Sequence, residues 1–359
     1  MCKKLSHPIC YIIPPHIHEH IARNGSEKQK ALAFQALATS ARVRGRREVL
    51  TTFAVLGTTP TGVKRRTIYD AKHGLVLPGK LVRGEGDSKS KDVAVNEAYD
   101  GSGNTYDFYQ KVFQRNSIDD RGMRLDSSVH YRRDFNNAFW NGQQMVYGDG
   151  DGQIFQRFTK CLDVIGHELT HGVTQYEAEL VYQDQPGALN EHFSDVFGSL
   201  VKQYAKKQTA KQADWLIGEG LLASNIHGVA LRSMKAPGTA YNDPLLGRDP
   251  QPAHMKDFVK TTSDSGGVHI NSGIPNKAFY EVAIALGGNA WGKAGNIWYR
   301  TLIDKIQPET QFQDCAGMTL EVAGTLYGLG GTEQKAVRDA WAKVGINVGS
   351  TAFAAGARR

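Results

Sequence analysis

The residues most able to do chemistry lie in C-L-D-V-I-G-H-E-L-T-H, Cys161 to His171. His167, Glu168 and His171 stand there in the order H-E-x-x-H. On a helix, positions four apart share a face, so both imidazoles can meet one cation. Glu168 sits beside the first of them, where a carboxylate can take a proton from water held at that cation. Neutral imidazoles, an open coordination position and an adjacent base are what metal-assisted hydrolysis requires. The spacing alone is equally compatible with two surface histidines, so a third ligand decides. Glu191 offers one within G-A-L-N-E-H-F-S-D-V-F-G. Asp195 lies four residues beyond Glu191 and shares its face. There it can receive the distal N–H of a ligand histidine and fix its tautomer.

Two helices must position these groups. Leu162, Val164, Ile165 and Val173 are the apolar neighbours expected of a buried first helix. Ala188 to Tyr204 reads as a second helix, with Leu189, Phe193, Val196, Phe197, Leu200 and Val201 on its buried side.

Six segments, two of them from this pair, occur in order along the chain: N-N-A-F-W-N-G-Q-Q-M-V-Y-G-D-G-D-G, H-E-L-T-H, L-V-Y-Q, G-A-L-N-E-x-x-S-D, L-R-S-M and G-G-V-H-I-N-S-G. Together they resemble the thermolysin family of secreted zinc endopeptidases, from about residue 60 to the C-terminus. The resemblance implies one catalytic Zn2+ held by His167, His171 and Glu191; this two-histidine, one-glutamate coordination is that of thermolysin itself and is carried over. It implies Glu168 as general base, His269 and Tyr182 as donors to the developing oxyanion, Asp264 as the residue that orients His269, and Asp195 behind the metal ligands. It implies substrate binding by strand addition along Asn137 and Ala138, with Arg232 holding a substrate carbonyl. Phe155, Val164 and Leu231 match positions lining the primed-side pocket. All three are apolar, so cleavage before a bulky hydrophobic residue is expected. A surface salt bridge is the alternative for Arg232, and the three apolar residues are equally compatible with a core role.

The implied fold class is α+β and two-lobed. A propeptide is expected over residues 1–50, a β-rich N-terminal lobe including the H-E-x-x-H helix over 51–180, and a mainly helical C-terminal lobe over 181–359, with the active-site helix between the lobes. The short leader, with its paired Pro14 and Pro15, resembles the protealysin-like subgroup. That implies a zymogen whose own propeptide is an intramolecular inhibitor, removed by cleavage near residue 50. Cys10, His16, His18 or His20 could cap the zinc in such a precursor; locally packed histidines are the favoured reading.

Calcium marks a departure from the family. Asp163, Asp214 and Glu219 match carboxylates of its paired Ca2+ site, but Lys202 and Leu216 stand at two other acidic positions. An ammonium there opposes a cation. The double site is expected to be lost, with room for one weak Ca2+. Gly148 to Gly152 hints at calcium too, yet Lys160 stands where an EF-hand loop closes with glutamate, so a tight turn is expected.

Composition constrains less. At 359 residues the chain can hold two domains, and its net charge is +7. The basic residues are scattered or lie before residue 66, with no nucleic-acid motif. Cys2, Cys10, Cys161 and Cys315 have no framework spacing, so free thiols are expected. No apolar run suits a membrane span, and the N-terminus lacks a classical signal peptide. The resemblance implies protein or peptide substrates and secretion; without a signal peptide, either export uses another route or the enzyme acts inside the cell or after lysis, and a monomer is expected. A non-catalytic relative keeping the fold would lack Glu168 or His269, yet both are present.

Taken in order, Tyr11 to Pro15 is expected to be extended. His16 to Arg23 can form a short helix stopped by Asn24-Gly25. Ser26 to Gln29 forms a capping box opening a helix to about Val43, with Ala31, Leu32, Phe34, Leu37, Ala38 and Ala41 available for packing. Arg42 to Arg47 looks exposed and cleavable. Strands are expected at Thr51–Leu56, Arg66–Tyr69, Val129–Tyr131 and Met145–Tyr147. Helices are expected from Asp92 and from Tyr106, broken by Gly101 to Asn104. Beyond Gln208 the chain is expected to be mainly helical.

Overall fold

The computed structural model describes residues 11–50 and 62–349, without the side chains of 40–50. Thr51–Leu56 and Cys10 lie outside the described residues. The leader contributes Tyr11, bends at Ile12 and Ile13 and an extended Pro14, then helix α1 (Pro15–Asn24) and helix α2 (Glu27–Leu50); the extended run expected through Pro15 is thus bent, and Pro15 is already helical. Pro15 opens α1, where its missing N–H costs no helical bond. The capping box at α2 is present: the Ser26 N–H donates to Gln29 Oε1 and the Gln29 N–H to Ser26 Oγ. Two expectations for α2 fail. The helix runs on through Arg42–Arg47 to Leu50, because one glycine among good helix formers does not stop it. Its buried face is Ala33, Ala36 and Thr39, whereas Phe34 is 60% exposed. A run of apolar residues on successive faces left the inward one undetermined.

The sheet has order β2-β1-β3-β5-β4: β1 (Arg66–Asp70), β2 (Lys80–Arg83), β3 (Leu125–Val129), β4 (Ala138–Trp140) and β5 (Met145–Tyr147). β1, β3 and β5 are mutually parallel neighbours, while β2 and β4 are antiparallel edges. The strand expected at Val129–Tyr131 instead ends at Val129.

Helix α3 (Val93–Phe113) crosses behind the sheet, capped by Asp92, whose Oδ1 accepts the Ala94 N–H. It is unbroken by Gly101–Asn104, contrary to expectation. A Cβ on Gly101 would lie 2.3 Å from Ile165 Cδ1, and one on Gly103 2.3 Å from Arg66 Nη1. These glycines permit close packing of elements and are not turns.

Helices α4 (Leu162–Glu177) and α5 (Asp184–Lys206) pack side by side through the middle of the molecule. A Cβ on Gly198 would sit 2.5 Å from the Asp163 carbonyl oxygen, so small residues bring these two backbones close. All six expected inward residues of α5 are fully buried. Residues 209–262 correct another expectation. They hold two short ladders, β6 (Leu216–Ile217) with β7 (Arg232–Ser233) and β8 (Asn242–Asp243) with β9 (Gly247–Arg248), joined by irregular chain. Carboxylates satisfy its backbone: Asp249 Oδ2 accepts from the Gly238 and Ala240 N–H groups, and Asp243 Oδ2 from that of His227. Helices resume with α6 (Asp264–Asn271), α7 (Gly273–Leu286), α8 (Lys293–Asp304), α9 (Phe312–Tyr327) and α10 (Thr332–Lys343). The molecule thus joins a mixed-sheet lobe to a helical one. No helix among the described residues is long and apolar enough to cross a membrane. Cys161 and Cys315 are free and buried.

Candidate active site

One turn of α4 brings His167 Nε2 and His171 Nε2 to 3.0 Å from each other. α5 lays Glu191 across them, with Oε2 3.4 Å from His167 Nε2 and Oε1 3.4 Å from His171 Nε2. All three side chains are buried, and their ligand atoms lie within 4.8 Å of one another. Such a set of two imidazole nitrogens and a carboxylate suits Zn2+ with one position open. The orientation of the rings supports the same fit. His167 Nδ1 is 2.8 Å from Asp195 Oδ1, and His171 Nδ1 is 2.8 Å from Asn190 Oδ1 and 3.0 Å from Ser194 Oγ. Each distal nitrogen is thereby occupied, and Nε2 is turned inward as a ligand.

Glu168 is also fully buried. Its Oε2 accepts the Trp140 N–H of β4 at 2.9 Å, while Oε1 has no hydrogen-bond partner among the described residues. Burial, with Glu191 nearby, pushes its carboxyl up to about 8. Across the site, Tyr182 donates to Glu191 Oε1 and lies 3.3 Å from His269 Nε2. Asp264 grips His269 twice, accepting its backbone N–H and lying 2.6 Å from Nδ1. This grip needs an unusual backbone: Asp264, Ser265, Gly266 and Gly267 all have φ between 50° and 84°. Two glycines make the left-handed run affordable, and the two non-glycine residues carry the strain.

Arg232 is buried, so the alternative of a surface salt bridge fails. It makes two parallel bonds to Asp195, Nε to Oδ2 and Nη2 to Oδ1, each 2.8 Å. Asn276 adds a third contact to Asp195 Oδ2 at 2.9 Å. Burial opposes the charge on Asp195, but Arg232 and His167 hold the carboxyl far below the usual range.

The leader enters this site. Tyr11 pairs with Phe139 as an antiparallel bridge on the free edge of β4. The Ile12 N–H donates to the Ala138 carbonyl at 3.2 Å, and the Ile13 N–H to Asn137 Oδ1 at 3.0 Å. Arg232 Nη1 donates to the Ile12 carbonyl at 3.2 Å, and His269 Nε2 lies 3.0 Å from the Tyr11 carbonyl oxygen. Ile12 is fully buried, and so are Phe155, Val164 and Leu231. None of His16, His18 and His20 joins the ligand group. His16 Nε2 is 2.9 Å from the Tyr241 hydroxyl, His18 Nε2 is 3.3 Å from Asn137 Nδ2, and His20 packs against Gly247.

At the matched calcium positions, Lys202 Nζ donates to Asp163 Oδ2, Asp214 Oδ1 and the Leu216 carbonyl at 2.8–2.9 Å. The Gly148–Gly152 segment is a turn in which Asp151 Oδ1 accepts three backbone N–H groups, as expected.

Of the expected site residues, the structure gathers His167, His171, Glu191, Glu168, Tyr182, His269, Asp264, Asp195, Arg232, Asn137 and Ala138, while Phe155, Val164 and Leu231 are buried without a contact that assigns them to a pocket. The sequence reading missed Asn190, Ser194, Asn276 and the Trp140 N–H. Asn190 and Ser194 were discoverable, because they are four apart on α5 and so share a face adjoining that of Glu191 and Asp195.

Comparison with known proteins agrees. Residues 57–175 match the model of the thermolysin metallopeptidase catalytic domain, and 178–346 that of its alpha-helical domain. The chain is 53% identical to an extracellular metalloprotease of Pectobacterium carotovorum subsp. carotovorum, over 96% of this chain and 98% of that one. It is 50% identical to protease PrtS of Photorhabdus sp. (strain Az29), over 94% and 92%. The solved precursor of protealysin, a metalloproteinase from Serratia proteamaculans, superposes with a TM-score of 0.87 at 53% identity, over 94% of this chain and 99% of that one. With the two domain models matched in succession over residues 57–175 and 178–346 and the metal-ligand geometry in place, this chain belongs to the thermolysin family of metallopeptidases.

Proposed function

We propose that the chain is the latent precursor of a secreted, neutral zinc endopeptidase that cuts internal peptide bonds before bulky hydrophobic residues. His167, His171 and Glu191 would hold the Zn2+, which supplies Lewis acidity toward a carbonyl and toward water. Glu168, anchored on one oxygen by the Trp140 N–H and free on the other, takes the proton of the attacking water and delivers it to the leaving nitrogen. His269 and Tyr182 stand ready to donate to an oxyanion between them, and Asp264 fixes the imidazole. Asn137 and Ala138 bind substrate backbone as an added strand, with Arg232 on the following carbonyl. The apolar character of Phe155, Val164 and Leu231, all buried, supports the pocket preference.

The observation that carries this reading is the convergence of three ligand atoms beside Glu168, with the leader backbone laid along β4 in the manner of a peptide substrate. It supports a role for residues 1–50 as an inhibitor in cis, released by cleavage near residue 50. Lys202 supports the loss of the paired Ca2+ site, its ammonium taking the oxygens a cation would use. The names of the relatives support export. The test is purified full-length chain, wild type and Glu168→Gln, incubated with casein with and without a zinc chelator and followed by mass spectrometry. Wild type should shorten by its leader and degrade casein, and chelator should stop the latter. Self-processing by pure Glu168→Gln would overturn the assignment.

A further inference from the structure

A second cluster lies apart from the zinc ligands. β1, β3 and β5 are parallel neighbours, so their C-terminal ends open on one side of the sheet. The crevice beyond the carboxyl ends of parallel strands is a recurrent ligand site, because each loop can deliver a side chain there. Here the loop after β1 delivers His73, the residue after β3 is His130, and the loop after β5 delivers Asp149. The turns are knitted together: the Ala71 N–H donates to the Val129 carbonyl, the His73 N–H to that of His130, and the Arg132 N–H to that of Gly74. His73 and His130 both hold φ above 50°, a conformation non-glycine residues adopt at a cost. That cost is tolerated in turning the two rings toward each other, with centroids 5.5 Å apart.

The donor atoms converge. His130 Nδ1 is 2.9 Å from both Asp149 oxygens, and His73 Nδ1 is 3.5 Å from Asp149 Oδ2. One ligand atom from each residue lies within 4.8 Å of the others. In a tetrahedral zinc site the ligand atoms are separated by about 3.3 Å, which follows from metal–ligand bonds of about 2.0–2.1 Å. The observed pair of distances brackets that value. The fourth residue is Asp92, whose Oδ2 lies 2.7 Å from His130 Nε2. A carboxylate on the far nitrogen fixes the tautomer and raises ligand basicity, as behind many metal-bound histidines. His73 is partly exposed, which leaves an entry path and a position for solvent.

We propose that His73, His130 and Asp149 form a second, peripheral site for Zn2+, oriented by Asp92 and independent of the catalytic ligands. Its competitor is a proton on His130 shared between two aspartates. A bound ion would clamp the three loops that follow β1, β3 and β5.

The test uses full-length Glu168→Gln, which cannot process itself, dialysed against free Zn2+ in mildly alkaline buffer and analysed for metal content. Two zinc ions per chain are expected, falling to one in the added variants His73→Ala and Asp149→Asn. His73 is surface-placed, so its loss leaves the fold intact. Cobalt added to chain already holding one zinc should give visible d–d bands that His73→Ala lacks, and excess Zn2+ should raise the thermal midpoint of the parent but not of His73→Ala. One zinc per chain in the parent would overturn the proposal, as the proton then keeps the site. Two in His73→Ala would overturn it equally, since the second ion would lie elsewhere.

Discussion

At the level of single residues, Asp195 holds the site in register. It binds the distal nitrogen of His167, both guanidinium arms of Arg232 and the Asn276 amide. Asp195→Asn keeps the shape and removes the charge, so zinc affinity should fall about 10–100-fold, read by competition with a chelator. His269→Ala should lower kcat more than it raises KM for a peptide substrate, because its interaction belongs to the transition state. Two leader histidines make a pH prediction. Burial lowers both His16 and His18 to about 4. For His16, Asp264 partly offsets burial, while His269, Arg232 and His20 add to it. For His18, the neighbouring charge is that of His16. Their docked pKa lies below the free value of about 6.5, so the leader's hold is complete above that value and weakens as pH falls toward 4. Binding of leader peptide 11–50 in trans, measured by inhibition of casein hydrolysis, should weaken across that window. The loss should be smaller with His16→Asn and His18→Asn.

Packing between elements decides what a local reading cannot. H-E-x-x-H and the spacing of Glu191 and Asp195 were legible because a helix repeats every few residues, so ligand partners on one face are near in sequence. Gly101 was misread as a helix breaker because its reason, Ile165 of another helix, is remote in the chain. Gly101→Ala should cost about 1–3 kcal/mol by overpacking, read from the denaturant midpoint. Residues 209–262 were misread for a related reason: their order comes from buried carboxylates and short ladders, which carry no periodic apolar signature. Lys202 was legible as an oddity, and its three-oxygen cradle was visible only in space. Lys202→Met leaves Asp163 and Asp214 without their cation and should cost about 3–5 kcal/mol. Added Ca2+ should restore part of that loss, whereas wild type should show a thermal midpoint indifferent to a calcium-selective chelator.

For the whole molecule, the two-lobed α+β plan was legible from the order of motifs, since each motif carries its own local structure. The docking of the leader was not, because Tyr11 and His269 are 258 positions apart and nothing periodic links them. The paired prolines marked where its irregular start gives way to α1, but not the bends at Ile12 and Ile13. That this stretch lies along β4 follows from the free hydrogen-bonding edge of the sheet, a property of the assembled strands.

The placement of Tyr11 to Ile13 along that edge has a kinetic consequence. While the backbone is continuous through residue 50, the blocking segment is present at an effective concentration fixed by its tether, of millimolar order for short flexible connections. Severing the link removes none of the bonds to Asn137, Ala138 and Arg232. It turns a one-body equilibrium into a two-body one. A nicked sample should therefore stay silent when crowded and wake on dilution, with a lag set by how quickly the freed piece drifts away or is itself digested.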